Sequence, residues 1–193
     1  MARTKIDRRI VKTKRAITVA LLQLLSEKPL EEITITELTL KADINRKTFY
    51  LHYTGIEDVA NELITKGGEL FEQALEYSIA DGGVFIPAKF LECIHGKISE
   101  QPEIFRAFCL ENTCTFFLRA LSERCLTSLM NVYRNYTGAS DASLRLCLSY
   151  MAHGILNLYV DWVRNPSPLP LAEVTALAVR LVEQDTALLA GKQ

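Results

Sequence analysis

Between Thr36 and His52 the chain has room for two helices of only one or two turns each, set on either side of the three residues Asp43-Ile44-Asn45. Helices this short do not persist alone in water, so each must bury a face against something else. Leu38, Ala42, Ile44 and Phe49 supply one apolar face for the pair. Thr36 is a suitable N-cap, and Glu37 would then sit at the positive end of the helix dipole, which predicts a helix from Glu37 to about Ala42. Asn45 caps a second helix, from Arg46 to about His52. Two such helices joined by a three-residue turn make a helix-turn-helix.

The surrounding sequence is helical throughout. Ile10, Ile17, Leu21 and Leu24, with Ala20 and Leu25 beside them, predict an amphipathic helix from a cap at Asp7 to about Ser26. Pro29 ends it, and the apolar members of Leu30-Glu31-Glu32-Ile33-Thr34-Ile35 are placed to pack beneath it. From Glu57 the apolar spacing predicts a long helix with a weak point at Gly67-Gly68 and an end near Asp81-Gly82-Gly83. At about 24 residues it would run about 36 Å. Further helices are expected near 87–100, 102–110, 112–136, 141–164 and 170–189, with Pro87, Pro102 and Pro170 at or near their starts and Ser140 capping the fourth. Tyr136-Thr137-Gly138 and Asn165-Pro166-Ser167-Pro168 read as breaks. No strand-like alternation and no repeat occurs. The expected fold is all-α with about nine helices: a three-helix helix-turn-helix domain over residues 1–56 and a helical body over 57–193.

Composition enters the functional argument mainly through charge. The net charge of −1 on 193 residues argues by itself against a nucleic-acid binder. Its distribution argues the other way. Arg3, Lys5, Arg8, Arg9, Lys12, Lys14 and Arg15 oppose only Asp7 in the first fifteen residues; residues 1–66 carry +3 and the remainder −4. A basic end on an acidic body suits a polyanion reader whose body stays off the polymer. No apolar run reaches the roughly 18 residues of a membrane span, and the basic N-terminus lacks the uninterrupted apolar core of a signal peptide, so a cytoplasmic protein without a membrane partner is expected. The five cysteines (Cys93, Cys109, Cys114, Cys125 and Cys147) contain no CxxC pair and read as reduced, mostly buried thiols, a redox-sensing thiol being the alternative.

The run Ile33-Thr34-Ile35-Thr36-Glu37-Leu38, followed by Ala42-Asp43-Ile44-Asn45-Arg46-Lys47-Thr48-Phe49-Tyr50-Leu51-His52-Tyr53, resembles the signature of the tetracycline-repressor (TetR) family of transcriptional regulators. The resemblance covers about residues 8–64. It implies that the second short helix reads DNA. Arg46 and Lys47 stand at its start, where both can donate to guanine N7 and O6. Thr48 and Tyr50 offer hydroxyls to phosphate oxygens, the role of Tyr50 being one the resemblance implies. Thr36 is a second phosphate candidate, and Asn45 either caps the helix or yields a backbone N–H to a phosphate. Phe49 and His52 are expected to pack, His52 between the reader and the fourth helix. Three positions depart from the family pattern: Asp43 replaces the usual turn glycine, Thr39-Leu40 the usual Ile-Ala, and Ile56 a common lysine at the start of the fourth helix. The last departure shifts expected DNA affinity toward the basic N-terminal arm.

The resemblance further implies a homodimer on a palindromic double-stranded operator, joined through the last two long helices, about Asp141–Arg164 and Pro170–Leu188. Ile155, Tyr159, Trp162, Val174, Leu177 and Leu181 are the candidate interface residues, with Ala152 and Gly154 permitting close approach. It also implies a small-molecule effector of unknown identity, held among Phe105, Phe108, Cys109, Phe116, Phe117, Tyr133, Met151 and His153, whose binding releases a repressor from its operator. No catalytic residue, cofactor or metal is expected, and no enzyme. The chain lacks GxSxG, P-loop, dinucleotide and HExxH patterns. Glu92-Cys93-Ile94-His95 is a single Glu-x-x-His where a di-iron bundle requires two. The alternative function is a helical protein-interaction adaptor with a degenerate reader.

Overall fold

The computed structural model of the chain describes residues 8–80, 85–134, 138–165 and 169–189, the side chains of residues 111, 114, 118, 119, 121, 122, 188 and 189 excepted. Arg3, Lys5, Asp7, the Asp81-Gly82-Gly83 break, Tyr136-Thr137, Pro166-Ser167-Pro168 and the side chains of Cys114 and Leu188 lie outside the described residues. Among those described, nine α-helices and one 3-10 turn account for the fold, and the only extended pairing is an isolated bridge between Ile79 and Phe85. By internal contacts the chain divides into two compact units. One comprises the chain up to Lys66 together with Glu103–Phe117; the other comprises Gly67–Pro102 and the chain from Leu118.

The first unit is built on α1 (Arg8–Leu25), whose buried face is Ile17, Ala20, Leu21, Leu22, Leu24 and Leu25. Ile10 and Val11, nearer its start, are about half exposed. The Glu27 and Lys28 amides close the end of α1 on the Leu24 carbonyl, and the 3-10 turn Leu30–Glu32 brings Ile33 into the core. Next comes α2 (Ile35–Lys41), capped by Thr34 and not by Thr36. Thr34 and Glu37 form a capping box: the Glu37 amide donates to the Thr34 hydroxyl oxygen, and the Glu37 carboxylate accepts from the Thr34 amide at 3.0 Å. The box satisfies two orphan donors where Thr36 would satisfy one, so the helix starts two residues earlier than expected. Asp43 then takes φ 52°, the left-handed conformation that the absent glycine would have supplied without strain. Asn45 caps α3 (Arg46–Tyr50) as expected, accepting the Thr48 amide at 2.7 Å. Leu38 and Phe49 are fully buried, Ala42 nearly so, and Ile44 partly. α2 packs on α1, and α3 on α2.

α4 (Ile56–Tyr77) runs through Gly67-Gly68 without a break. A Cβ at Gly68 would stand 2.7 Å from the Arg124 guanidinium, which the glycine admits against the helix backbone. Glu72, one turn on, holds that guanidinium with two bonds of 2.7 and 2.8 Å. The remaining helices are α5 (Pro87–Glu100), α6 (Pro102–Phe108), α7 (Glu111–Tyr133), α8 (Asp141–Arg164) and α9 (Leu171–Leu189). Ser140 caps α8 through the Ser143 amide. In the second unit α5 and α8 both pack on α9. Two buried tyrosines meet threonines of α9: the Tyr159 hydroxyl donates to Thr175, itself bonded to the Leu171 carbonyl, and Tyr133 meets Thr186, bonded to the Val182 carbonyl. Burial raises the pKa of both phenols, so they stay neutral donors.

Candidate nucleic-acid interface

The cations of the first unit fall into two groups. Lys14 pairs with Glu62 at 2.8 Å, Arg15 with Glu103, Lys28 with Glu37 at 2.7 Å and Lys41 with Glu27 at 2.6 Å. These charges are spent within the fold. Arg46 and Lys47, exposed at the start of α3, have no ion-pair partner among the described residues, and neither do Arg8 and Lys12 on the first two turns of α1. Of the basic run at the start of the chain, then, Lys14 and Arg15 serve the structure while Arg8 and Lys12 remain open to a polyanion.

The frame under α3 is rigid for so short a helix. Phe49 is fully buried, with the Tyr50 ring edge-on at 5.5 Å and the Tyr53 ring at 5.8 Å. The Lys14 ammonium lies 5.0 Å over the Tyr53 ring and also reaches Glu62. Burial alone would raise the Glu62 carboxyl, but hydrogen bonds from Lys14, Lys66 and Tyr53 outweigh it and hold the pKa down at about 2. Burial, with Glu62 alongside, pushes the Tyr53 phenol well above its ordinary range. A charged, fully bonded cluster therefore anchors the end of the recognition segment to α1 and α4.

Arg46, Lys47 and Tyr50 are exposed, Tyr50 by 51%, and the edge contact with Phe49 sets the direction of its ring. Thr36 is exposed on the first turn of α2. Asn45 uses its side-chain oxygen as the cap, which leaves its amide nitrogen as the free donor. Thr48 is half-buried, and its hydroxyl donates to Asn45 at 3.0 Å, so it must release that bond to donate to a phosphate. Ile56 is 7% exposed. Its side chain belongs to the core. Sequence reasoning passed over Leu51, 73% exposed beside Tyr50, and Leu40, 81% exposed, which lines a shallow notch with Thr39, Asp43, Ile44, Asn45 and Thr48. An apolar residue in a polar helix face carries no periodic signal that it is exposed.

The eight candidate effector residues divide between the two units. Phe105, Phe108, Cys109, Phe116 and Phe117 belong to the first, where Phe117 lies 5.5 Å from Phe108 and 5.2 Å from Phe116, and Cys109 is buried. Tyr133, Met151 and His153 belong to the second; the first two are buried, and His153 is exposed, bonded to the Ser149 carbonyl of its own helix. Neither of two open surface clefts, the notch at the turn and one bounded by Tyr77, Glu92, Cys93, Gly96, Lys97 and Glu100, includes any of the eight. An aromatic chain of Phe71, Phe90, Phe85 and Tyr133, with successive centroids 5.3, 6.1 and 5.5 Å apart, was not anticipated. Of the candidate interface residues, Tyr159 and Val174 are buried within the chain itself. Ile155, Trp162 and Leu177 are half-buried, Trp162 donating to the Leu169 carbonyl at 2.9 Å, and Leu181 is exposed. His95 meets Thr175 at 3.0 Å, and no group of three or more His, Cys, Asp or Glu fit to hold a metal occurs among the described residues. No described helix is long and apolar enough to cross a membrane.

No protein-family profile matches the chain. An uncharacterized HTH-type transcriptional regulator of Bacillus subtilis (strain 168), YxbF, is 41% identical over 63 residues, which is 32% of this chain but only 17% of that relative's length. Solved structures match nearly the whole chain. The dihydroxyacetone kinase operon activator DhaS aligns over 92% of this chain and 97% of its own at a TM-score of 0.56 and 17% identity. A TetR-family regulator of Streptomyces coelicolor covers 93% of this chain and 85% of its own at 0.58 and 15%. A protein described as a TetR-family regulator of Mesorhizobium loti MAFF303099 covers 94% and 98% at 0.52 and 18%. The all-helical architecture, with its helix-turn-helix in the first unit, is the fold of the TetR-family transcriptional regulators.

Proposed function

We propose that this protein is a sequence-specific, DNA-binding transcriptional regulator that acts as a homodimer on a palindromic operator and answers to a small-molecule effector. The observation that carries the reading is the pair Arg46 and Lys47: exposed and without an ion-pair partner among the described residues at the start of a capped helix, while Lys14, Arg15, Lys28 and Lys41 are neutralised within the fold. Cations left open at that end of a recognition helix meet base edges, while Tyr50, Thr36 and the free amide of Asn45 supply phosphate contacts that set register. Arg8 and Lys12 add sequence-independent attraction. Repression is the proposed sign of action, relieved when the effector favours a body shape that misplaces the two readers. The solved neighbour DhaS carries the description of an operon activator, so the sign is measured separately from binding.

The test is fluorescence anisotropy with DNA recovered by random-sequence selection, across a salt series, beside an Arg46→Ala/Lys47→Ala variant. Tight binding, abolished by the variant and falling steeply with log salt, is the expected result. Failure of selection to enrich any site would sink the DNA reading and leave a helical partner-binding protein. Reporter expression with and without the chain then reads the sign.

A further inference from the structure

The first turn of α7 closes on the end of α1. The last carbonyls of an α-helix have no partner within it. The Leu24 carbonyl takes two amides from the following turn. That of Leu22 receives the Thr113 hydroxyl at 2.8 Å, and that of Ser26 receives the Asn112 side-chain amide at 3.0 Å. Thr113 is 0% exposed, so no water replaces its hydroxyl if it is removed. The bond spans 91 residues of sequence. A third tie, the ion pair of Arg15 with Glu103, joins α1 to α6. The positive end of α7 therefore meets the negative end of α1, a favourable alignment of dipoles. Buried Ala107, Cys109 and Phe117 complete this corner, which clusters with the helix-turn-helix.

We propose that Thr113 and Asn112 are positioning residues of the DNA reader. With seven and five residues, α2 and α3 are too short to fix their own directions. They inherit orientation through packing, α3 on α2 and α2 on α1. Beside the Lys14–Tyr53–Glu62 cluster, whatever holds the last turn of α1 thus helps to set the angle at which Arg46 and Lys47 are presented, and base readout tolerates only small errors in such geometry. The side chains that do so come from a corner remote in sequence, so the reader is completed by residues 103–117. This rests on the DNA reading above.

The test uses the full chain with Thr113→Val, which keeps the shape and removes the hydroxyl, and Thr113→Ser, which keeps the hydroxyl. Both are studied at a temperature where circular dichroism shows them fully folded. Thr113→Val is expected to weaken binding to the selected DNA about tenfold and to speed amide exchange in α1 and α2 while α8 and α9 stay protected. Thr113→Ser restores both to within about twofold. A folded Thr113→Val that binds and exchanges like the parent overturns the proposal, and so does a Thr113→Ser as impaired as the valine variant. If the parent protein binds no DNA, the DNA reading falls while the exchange data still decide the clamp. Should Thr113→Val not fold, Asn112→Ala removes the exposed bond alone and is expected to act in the same direction more weakly; no change in it is then the overturning result.

Discussion

Glu37 serves two partners at once: it completes the capping box with Thr34 and accepts from Lys28 at 2.7 Å. Hydrogen bonds from Lys28 and then Thr34 lower its carboxyl from 4.5 to about 2. A folded-state pKa below the unfolded one stabilises at pH above 4.5, and that contribution is lost as pH falls toward about 2. Glu37→Gln removes the titration, so thermal melts across that window should show the parent losing Tm more steeply than the variant. Parallel curves would show the bonds to be immaterial to stability. Asn45 is the other residue on which a short helix depends. Asn45→Ala takes away the α3 cap and is expected to cost about 1 kcal/mol in urea unfolding, with Asn45→Ser recovering most of it. The Asn45 cap was legible because one polar residue stood between the turn and the helix. The α2 cap was not read correctly, because Thr34 and Thr36 both qualify by type. Only the Thr-x-x-Glu spacing from Thr34 to Glu37 separates them, and Thr34 alone has it.

At the scale of elements, helix positions and types followed from apolar spacing, proline and caps. What escaped was anything decided by a distant partner. Gly67-Gly68 looked like a weak point in α4 because a glycine in a helix interior costs about 1 kcal/mol relative to alanine. The cost is tolerated there because Gly68 makes room for the Arg124 guanidinium, and no local pattern could announce an arginine from α7. Gly68→Ala should recover helix propensity while unhooking Arg124 from Glu72, leaving Tm unchanged or slightly higher. The sharper test is the second mutation. Arg124→Ala should lower Tm in the parent background and do nothing in Gly68→Ala, and equal effects in both backgrounds would refute the packing argument. The tie between Thr113 and Leu22 is invisible in sequence for the same reason.

For the whole molecule the unsettled surface is the outer face of α8. Leu146 and Tyr150 are each 73% exposed, and Gly154 continues the same i, i+4, i+8 stripe. Among the described residues, and leaving aside the backbone of its own helix, no atom lies within 4 Å of where a Gly154 Cβ would stand, so no described neighbour calls for a glycine in this helix. A second copy of the chain would explain it, because small residues let two helix backbones approach while flanking large side chains cover the contact. Tyr159 and Val174, which the family resemblance placed in such an interface, are spent on the interior of the chain, which shifts the proposed contact onto the Leu146–Tyr150–Gly154 stripe. Gly154→Ala separates the possibilities. If the stripe faces water, alanine should simply stabilise by about 1 kcal/mol and leave the assembly state as it was. If two copies meet there, sedimentation equilibrium should show the variant shifted toward monomer, and Leu146→Glu/Tyr150→Glu shifted completely. Binding to a palindrome should weaken with it, because two unlinked readers no longer share one effective concentration on the DNA. A charged double variant that remains dimeric would move the interface elsewhere.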